Sequence, residues 1–283
     1  MKLFVTGATG FVGSHFSKYC LDNNSDVVLL KRSPESSPRI STLDTNIFLC
    51  KSYKTLNKFD FEGVDVLLHL ACHSANYPYD SIENCLKYNV HQPLELFKLA
   101  KSSGVSKFVV IGTCFEYGIS GKYYDYIPAN APLFPTLTYP SSKAAGAIVF
   151  TQWAIQNAVS LAYLRLFQVY GPGEKSSRLW PSLVHAAKTG TDFRMTRGEQ
   201  LRDFSRVEDI AEDIYWHCRS MMESQSRVFH QNLGSGEALS VASFAKRIWE
   251  ENNATGNLEI GALPYRLLEV ARFVPDLTPF EIC

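Results

Sequence analysis

The sequence of 283 residues lacks several features that mark particular classes of protein. Neither sign of charge is in excess, because 28 Lys and Arg residues balance 28 Asp and Glu residues, whereas nucleic-acid partners usually require a basic surface. No apolar run reaches the ~18 residues that a membrane span needs. The chain opens directly on a strand-like run, without a basic and apolar secretory leader. We therefore expect a cytoplasmic protein with no nucleic-acid or membrane partner.

The cysteines also lack a pattern. They form no CxxC pair and lie at Cys20, Cys50, Cys72, Cys85, Cys114, Cys218 and Cys283. An odd, scattered set is typical of a reducing compartment rather than of a disulfide framework or a zinc site. The sequence therefore predicts neither disulfides nor a metal centre.

The glycine spacing near the start of the chain is a motif with a physical meaning. The apolar run Lys2 to Thr6 reads as a buried strand, and Gly7, Gly10 and Gly13 follow it at intervals of three residues. A helical pattern then continues over residues 14–19. Glycines at this spacing permit a tight turn and let backbone N–H groups approach a pyrophosphate at the helix N-terminus. We therefore predict dinucleotide contacts from Gly7, Thr9, Gly10, Phe11 and Val12.

The residues after the second predicted strand, Asp26 to Leu30, bear on which dinucleotide binds. An acidic side chain there binds the ribose hydroxyls of NAD, whereas a basic one accommodates the 2′-phosphate of NADP. This chain has Lys31, Arg32 and Ser33, with no carboxylate before Glu35. Two cations and a hydroxyl suit a dianionic phosphate. The sequence therefore favours NADP(H), with NAD(H) as the alternative, and predicts cofactor contacts from all three residues.

Further strand and helix patterns alternate along the chain. The predicted strands are residues 46–50, 64–71 and 108–112, and the predicted helix is 81–103. Such alternation predicts an α/β fold with a doubly wound parallel sheet, the Rossmann architecture, which binds ligands at the carboxyl edge. Leu70 and Ala71, at the end of the fourth strand, are therefore predicted cofactor contacts. His69, inside the apolar run, is interpreted as a core histidine.

A tyrosine and a lysine lie four residues apart later in the chain, at Tyr139 and Lys143. On a helix this spacing places both side chains on one face. A free phenol has a pKa near 10, which is too high for effective proton transfer at neutral pH. A neighbouring ammonium favours the phenolate and is expected to lower that pKa. The pair is therefore a candidate for acid–base catalysis.

Three pieces of the sequence together resemble the extended short-chain dehydrogenase/reductases, in the nucleotide-sugar epimerase/dehydratase branch. They are the glycine-rich TGATGFVG, the segment Thr113 to Gly118, and Tyr139-xxx-Lys143. The resemblance continues in RLFQVYGPG at 165–173, in the RDF segment at 202–209, in NLGSGE at 232–237 and in LPYR at 263–266.

The resemblance implies roles for individual residues. It implies that Tyr139 donates or accepts the proton, that Lys143 binds the nicotinamide ribose, and that Thr113 hydrogen-bonds the reacting oxygen. Asn89 would support this site. The further cofactor contact that it implies is Phe167, and the implied substrate contacts are Thr113, Cys114, Phe115, Arg202 and Arg266, with the two arginines on the diphosphate of a nucleotide sugar.

The residues after Thr113 bear on the reaction. Family members that are 4,6-dehydratases carry an acidic residue there, but Cys114 and Phe115 cannot serve as that acid. Glu116 is one residue further on and points elsewhere if the backbone is extended. We therefore expect no dehydration, and we interpret Cys114 as a packing residue.

Reduction and epimerisation at C4 remain as hypotheses. An epimerase retains NAD, whereas a reductase consumes a reduced cofactor, so Lys31 and Arg32 favour an NADPH-dependent 4-ketoreductase that resembles the CDP-abequose and paratose synthase type. A 4-epimerase is the alternative. A non-catalytic dinucleotide sensor is a third hypothesis, although such proteins typically lose the tyrosine or the lysine.

The resemblance also suggests how the chain is organised. A dinucleotide-binding domain is expected over residues 1–171, with 202–234 returning to it. A smaller substrate-binding part is expected from residues 172–201 and 235–283, with the nucleotide sugar between the two. A homodimer is expected through the helix at 81–103 and the helix that carries Tyr139.

Overall fold

The computed structural model describes residues 1–223, 227–265 and 270–282. Within these ranges the strands are β1 (Lys2–Thr6), β2 (Asp26–Lys31), β3 (Phe48–Cys50), β4 (Val66–His69), β5 (Lys107–Thr113), β6 (Ser160–Leu166), β7 (Gln168–Tyr170), β8 (Phe193–Met195), β9 (Leu201–Arg202), β10 (Phe204–Arg206), β11 (Val228–Leu233), β12 (Leu239–Ser240), β13 (Leu258–Ile260), β14 (Arg272–Phe273) and β15 (Phe280–Glu281). The α-helices are α1 (Phe11–Asp22), α2 (Ile82–Leu86), α3 (Gln92–Ser102), α4 (Thr138–Gln156), α5 (Leu179–Thr189), α6 (Val207–Glu223) and α7 (Val241–Glu251).

The main sheet runs in the order β3-β2-β1-β4-β5-β6-β11-β15. Its strands pair in parallel as far as β11, and β15 pairs antiparallel with β11. The order of the strands reverses between β1 and β4, where α/β sheets place their ligands. The predicted doubly wound α/β fold is confirmed.

Alternate residues of each strand face opposite helical layers. On one side Leu3, Val5 and Leu68 pack with Phe16 of α1 and Ile214 of α6. On the other side a second apolar cluster joins the sheet to α3 and α4. Because helices cover both faces, the strands read as continuous apolar runs in the sequence.

A smaller apolar cluster lies outside the main sheet. It is formed by Leu183 of α5, Met195 of β8, and Phe244, Ala245 and Ile248 of α7. All five belong to the segments 172–201 and 235–283 that were assigned to substrate binding, although the domain boundaries themselves stay a prediction.

The predicted elements differ from the observed ones mainly at their ends. The third strand is shorter than expected because a 3₁₀ turn, Thr45–Ile47, precedes β3. The helix expected over 81–103 is interrupted by a π-turn at Lys87–His91, which joins α2 to α3. Such insertions often occur at functional sites, and this one carries Asn89.

Two searches of the described part of the chain found nothing. No helix there is long and apolar enough to cross a membrane. No group of His, Cys, Asp and Glu side chains in the same residues is arranged to hold a metal ion.

Candidate active site

A large cleft of about 1760 Å³ lies along the carboxyl edge of the sheet. Residues that follow β1, β4 and β5 form its floor, namely Gly7, Thr9, Gly10, Phe11, Val12, Leu70, Ala71, Thr113, Cys114 and Phe115. Tyr139, Lys143 and Phe167 also line the cleft. The structure therefore brings most of the predicted site residues together around one cavity.

The glycine-rich turn is shaped for a close approach of main chain. Gly7 has a φ of +73°, and a Cβ there would lie 2.5 Å from the Ala71 nitrogen. A Cβ at Gly13 would lie 2.0 Å from the Gly7 oxygen, so α1 packs directly on the turn. Gly10 is the N-cap of α1 and supplies no side-chain cap. The first backbone N–H groups of this helix can therefore receive the diphosphate of a dinucleotide, and the cradle fits that group.

The two histidines near the end of β4 have structural partners. His69 is buried, and its Nδ1 lies 2.8 Å from Thr6 Oγ1. Burial, and to a smaller extent the Lys143 charge, lowers the pKa of His69 to about 3. His73 lines the cleft, and its Nε2 lies 2.7 Å from Asp80 Oδ2. His69 is therefore a neutral core histidine, as the sequence indicates.

Tyr139 and Lys143 lie in the first two turns of α4, and both are buried. The Lys143 ammonium donates a hydrogen bond to the Ile111 carbonyl of β5 over 2.6 Å. Ser142, between them on the helix, accepts a hydrogen bond from Asn89 Nδ2 over 2.9 Å. Asn89 Oδ1 also accepts the His73 N–H over 2.7 Å. Asn89 thus ties α4 to the loop after β4, and its side chain supports the cleft wall.

The expected lowering of the Tyr139 pKa by Lys143 is not found. Burial raises the pKa of Tyr139 well above its ordinary value, and nearby Cys72 and Glu116 raise it further. Burial also lowers the pKa of Lys143. The reason is desolvation, which disfavours the charged form of each group. Tyr139 is therefore a protonated phenol at neutral pH, the form needed to donate a proton.

The segment after Thr113 is not extended, so the condition under which Glu116 was expected to point away from the site is not met. Cys114–Glu116 forms a 3₁₀ turn in which Glu116 Oε1 accepts the Thr113 N–H over 2.9 Å. The Glu116 carboxylate is fully buried and pairs with Arg165 over 2.7 Å. Burial raises the pKa of Cys114 to about 12, so this thiol is neutral packing. The side chain of Glu116 is turned away from the cleft, although the reason is the turn and not strand alternation.

Lys31, the last residue of β2, and the next two residues, Arg32 and Ser33, differ in whether they line the cleft. Arg32 lines the cleft. Lys31 Nζ instead donates to the Thr45 carbonyl over 3.3 Å, and Ser33 Oγ lies 3.2 Å from Ser36 Oγ. Neither Lys31 nor Ser33 lines the cleft. The contribution of each residue to cofactor binding stays a prediction.

Arg39 and Lys54 also line the cleft, and neither was predicted. Arg39 lies in the Ser- and Pro-rich loop after β2, and Lys54 follows β3. The Arg39 N–H donates to Ser14 Oγ over 2.9 Å, which holds this loop against α1. Glu35 is also present there, so the charge is mixed but mainly positive. The sequence did carry one signal for these residues, which is that each lies in a loop that follows a predicted strand. Loops after parallel strands meet at one edge of the sheet.

Other cleft residues were also absent from the prediction. The Tyr79 ring lies 5.4 Å from the Tyr139 ring. Glu174 follows the turn after β7, and its Oε1 accepts a hydrogen bond from Arg178 Nε over 3.3 Å. Burial raises the pKa of Glu174 to about 7. All three side chains come from loops or helix starts, which carry no periodic signal.

Of the two arginines predicted to bind the diphosphate of a nucleotide sugar, the structure describes only Arg202. Arg202 donates to the Leu201 carbonyl over 2.8 Å and to the Val270 carbonyl over 2.7 Å. It does not line the cleft. Arg266 lies outside the described residues. Substrate binding by either arginine stays a prediction.

Known proteins resemble this chain along most of its length. It is 28% identical over 268 residues to UDP-glucose 4-epimerase of Corynebacterium glutamicum, which covers 85% of this chain and 77% of that protein. It is 24% identical over 273 residues to CDP-abequose synthase of Salmonella muenchen, which covers 94% of this chain and 85% of that protein.

Solved structures show the same fold. The NAD dependent NDP-hexosamine 5,6-dehydratase TunA superimposes with a TM-score of 0.78 at 27% identity, over 98% of this chain and 89% of TunA. RMD from Pseudomonas aeruginosa, complexed with NADPH, superimposes with a TM-score of 0.74 at 20% identity, over 98% and 90% of the two chains. The sequence profile of the NAD dependent epimerase/dehydratase family matches residues 3–232. This chain, with its glycine cradle and its Tyr139-xxx-Lys143 pair, is a member of that family.

Proposed function

We propose that this protein is an NADPH-dependent reductase of the C4 keto group of a nucleotide-linked 4-keto-6-deoxyhexose. Such a reaction belongs to the synthesis of deoxysugars for surface polysaccharides. The protein is proposed to act in the cytoplasm.

The observation that carries the proposal is a set of cations that line the cleft. Arg32, Arg39 and Lys54 line it together, beyond the strand whose end distinguishes NAD from NADP. A guanidinium can bind a phosphate in a forked, charge-assisted way. These side chains would hold the 2′-phosphate of NADP, and a reduced cofactor consumed in each turnover fits a reductase better than an epimerase.

The proposed chemistry divides between the cofactor and the chain. When bound, the nicotinamide cofactor supplies a hydride to C4. Tyr139 donates its phenolic proton to the C4 oxygen, and Thr113 orients that oxygen by a hydrogen bond. Lys143 holds the nicotinamide ribose and keeps a positive charge beside the phenol as it ionises. General acid catalysis of this kind contributes about 10²–10⁴-fold to the rate.

The geometry around Thr113 supports reduction over dehydration. An elimination carried out from the positions directly after Thr113 needs an acid or base at those positions. Glu116 is buried against Arg165, and the Cys114 thiol is held neutral by burial. Tyr139 and Thr113 suffice for a proton transfer at C4.

A 4-epimerase is the second candidate. The 28% identity to the Corynebacterium glutamicum UDP-glucose 4-epimerase favours it. An epimerase would hold NAD through both half-reactions and return the hydride, with Tyr139 as base and then acid. That reaction does not require Arg32, Arg39 and Lys54 to bind a 2′-phosphate, because NAD lacks this group.

A homodimer through α3 and α4 is part of the proposal. Ile148 and Ile155 of α4 are 65% and 41% exposed. A second copy packed on this helix would remove both side chains from water.

The test is an NADPH-oxidation assay with CDP-, dTDP- and GDP-linked 4-keto-6-deoxy sugars, with product analysis. The proposal expects stoichiometric NADP formation and a 4-hydroxy product. Interconversion of two C4 epimers without net NADPH consumption would replace reduction by epimerisation. Dinucleotide binding without turnover of any of these substrates, or of UDP-glucose, would indicate the sensor.

A further inference from the structure

A buried ion pair lies directly beneath the candidate active site. The side chains of Glu116 and Arg165 are 0% and 1% exposed, and Glu116 Oε2 accepts from Arg165 Nε over 2.7 Å. Arg165 also donates to the Ala129 carbonyl over 3.1 Å. A buried pair of this kind is weak evidence for stability, because desolvation offsets much of the attraction. The role of this ion pair therefore depends on the residues that it contacts.

The second oxygen of Glu116 reaches both catalytic elements. Glu116 Oε1 accepts the N–H of Thr113, the last residue of β5, over 2.9 Å. The same oxygen lies 2.9 Å from the Tyr163 hydroxyl on β6. That hydroxyl also lies 3.1 Å from the main-chain carbonyl of Lys143 in α4. Tyr163 thus connects Thr113 and Glu116 to Lys143 through one hydroxyl, whose single proton is shared between two acceptors, Glu116 Oε1 and the Lys143 carbonyl.

The strand end is shaped to admit this connection. A Cβ at Gly112 would lie 2.4 Å from the Tyr163 ring and 2.7 Å from Glu116 Oε1. Any larger residue at 112 would therefore displace one of the two groups. Gly112 pairs with Arg165 in the β5–β6 register. The side chains of Glu116, Tyr163 and Arg165 therefore meet beside Gly112.

We propose that Glu116 is a positioning residue for the reaction: with Arg165 and Tyr163 it fixes Thr113 against the Lys143 turn of α4. The hydroxyl that orients the reacting oxygen and the ammonium that holds the cofactor then keep one relative placement. This inference rests on the proposed function for its turnover measurement only. Glu116 itself does not line the cleft.

The charge of Glu116 is also felt in the cleft. It raises the pKa of Lys143, against the lowering by burial. It also raises the pKa of Tyr139, in the same direction as burial. The titratable groups that surround this pair on neighbouring elements are His69, Cys72, Tyr79, Cys114, Glu116 and Tyr163. Of these, Glu116, which is paired with Arg165, is the carboxylate whose charge raises the pKa of Lys143. Removing it should lower the pH at which Lys143 loses its proton.

The first test compares two buried tyrosines. Tyr163→Phe removes the hydroxyl between Glu116 and Lys143. Tyr117→Phe is the matched control, because its hydroxyl donates to Asn232 Oδ1 over 2.6 Å, accepts only a longer 3.5 Å contact from Arg165 Nη1, and lies outside the link from Glu116 through Tyr163 to Lys143. We expect Y163F to lower kcat about tenfold with KM changed less than about twofold, and Y117F to leave kcat within about twofold. Equal kcat for the two variants at equal melting temperature would overturn the inference.

The second test needs no substrate and also serves if Y163F does not fold. Glu116→Gln removes the negative charge that raises the pKa of Lys143 and keeps an oxygen that can accept the Thr113 N–H. The readout is the pH dependence of NADPH affinity, which inflects where Lys143 deprotonates. The inference expects the inflection to move to lower pH by about half a unit or more relative to wild type and Y117F. An unmoved inflection would contradict it, whereas a wild type that binds NADPH without turnover would contradict only the proposed function.

Discussion

Tyr139 is the residue on which the proposed chemistry depends. It is 6% exposed, and burial keeps its phenol protonated. In the reductive direction this is the useful form, because the alkoxide that develops on the sugar is a far stronger base than a phenolate. Lys143 then serves to bind the cofactor and to stabilise the phenolate once it forms.

Cofactor preference is a property of single side chains after β2. Arg32→Ala should weaken NADP binding by about 10–100-fold, the value of a charge-assisted bond to phosphate, and leave NAD binding unchanged. Lys31→Ala is the matched control, because Lys31 Nζ binds the Thr45 carbonyl and lies outside the cleft lining. Titration calorimetry with both cofactors checks this. Equal losses for NADP and NAD in R32A would contradict it.

Glu174 should make the stability of the protein depend on pH. Burial raises its pKa from the model-compound value of 4.5 to about 7. The folded state therefore binds the proton more tightly than the unfolded state, so stability is present at low pH and is lost as pH rises through this window. Glu174→Gln, which stays neutral, should match wild type near pH 4.5. Near pH 8 it should be more stable by about 1–2 kcal/mol, after allowance for solvent screening.

Chemical unfolding at several pH values measures that difference. The exposed pair Lys98–Glu95 offers a control, because Glu95→Gln should change stability by less than about 0.5 kcal/mol at every pH. A constant offset between E174Q and wild type across the range would show that Glu174 does not titrate as described.

At the scale of elements, the β1–turn–α1 unit determines where a dinucleotide can lie. The turn contacts the loop after β4 through Gly7, and α1 contacts the turn through Gly13. His15 of α1 also lies 2.8 Å from the Pro172 carbonyl, which connects the helix to the turn before Glu174. Both walls of the cleft are therefore attached to this one unit.

Gly13→Ala should separate α1 from the turn. Its Cβ would lie 2.0 Å from the Gly7 oxygen, so backbone must move. We expect a loss of about 2–3 kcal/mol of stability, as for overpacked cores, and a more than about tenfold loss of dinucleotide affinity. Lys18→Ala on the exposed face of α1 is the control, with a change below about 0.5 kcal/mol. A G13A protein with wild-type melting temperature and affinity would contradict the close packing.

The whole molecule brings residues from distant parts of the sequence to one cleft. Loops after β2 and β3 supply cations, β5 supplies Thr113, and the segment after β7 supplies Glu174 and Arg178. A ligand that spans the cleft would therefore stabilise the native state as a unit. The stabilisation follows from mass action on the folded form.

NADP should raise the melting temperature more than NAD at equal concentration. A ligand at 100 times its Kd contributes about 2.7 kcal/mol to the stability of the native state. The account expects this gain for NADP and a smaller one for NAD, measured by differential scanning fluorimetry. A larger shift with NAD would remove the main support for the reductase and favour the epimerase.

Much of this molecule was predictable from local patterns. The strand Lys2–Thr6, the glycine cradle and the Tyr139–Lys143 face follow from periodicity and spacing. Arg39 and Lys54 were missed because they lie in irregular loops, where no repeat indicates which way a side chain points. Lys31 and Arg32 were grouped, although neighbours at the end of a strand face opposite sides.

The errors at the active site have separate causes. The direction of Glu116 was argued for an extended backbone after Thr113, but a capping box between Thr113 and Glu116 closes a 3₁₀ turn. The pKa of Tyr139 was expected to fall, but desolvation outweighs the nearby ammonium. The burial of Tyr139 depends on long-range packing that sequence spacing does not report, whereas the Thr-x-x-Glu spacing of the capping box is a local signal that was overlooked.

The central claim is that the Tyr139 phenol donates the proton at the sugar C4 oxygen, and the most direct measurement is kcat of Tyr139→Phe with NADPH and a 4-keto-6-deoxy sugar nucleotide. The account predicts a kcat lower by about 10²–10⁴-fold, with NADPH affinity and melting temperature close to those of wild type. A variant that folds, binds NADPH and turns over at the wild-type rate would contradict it.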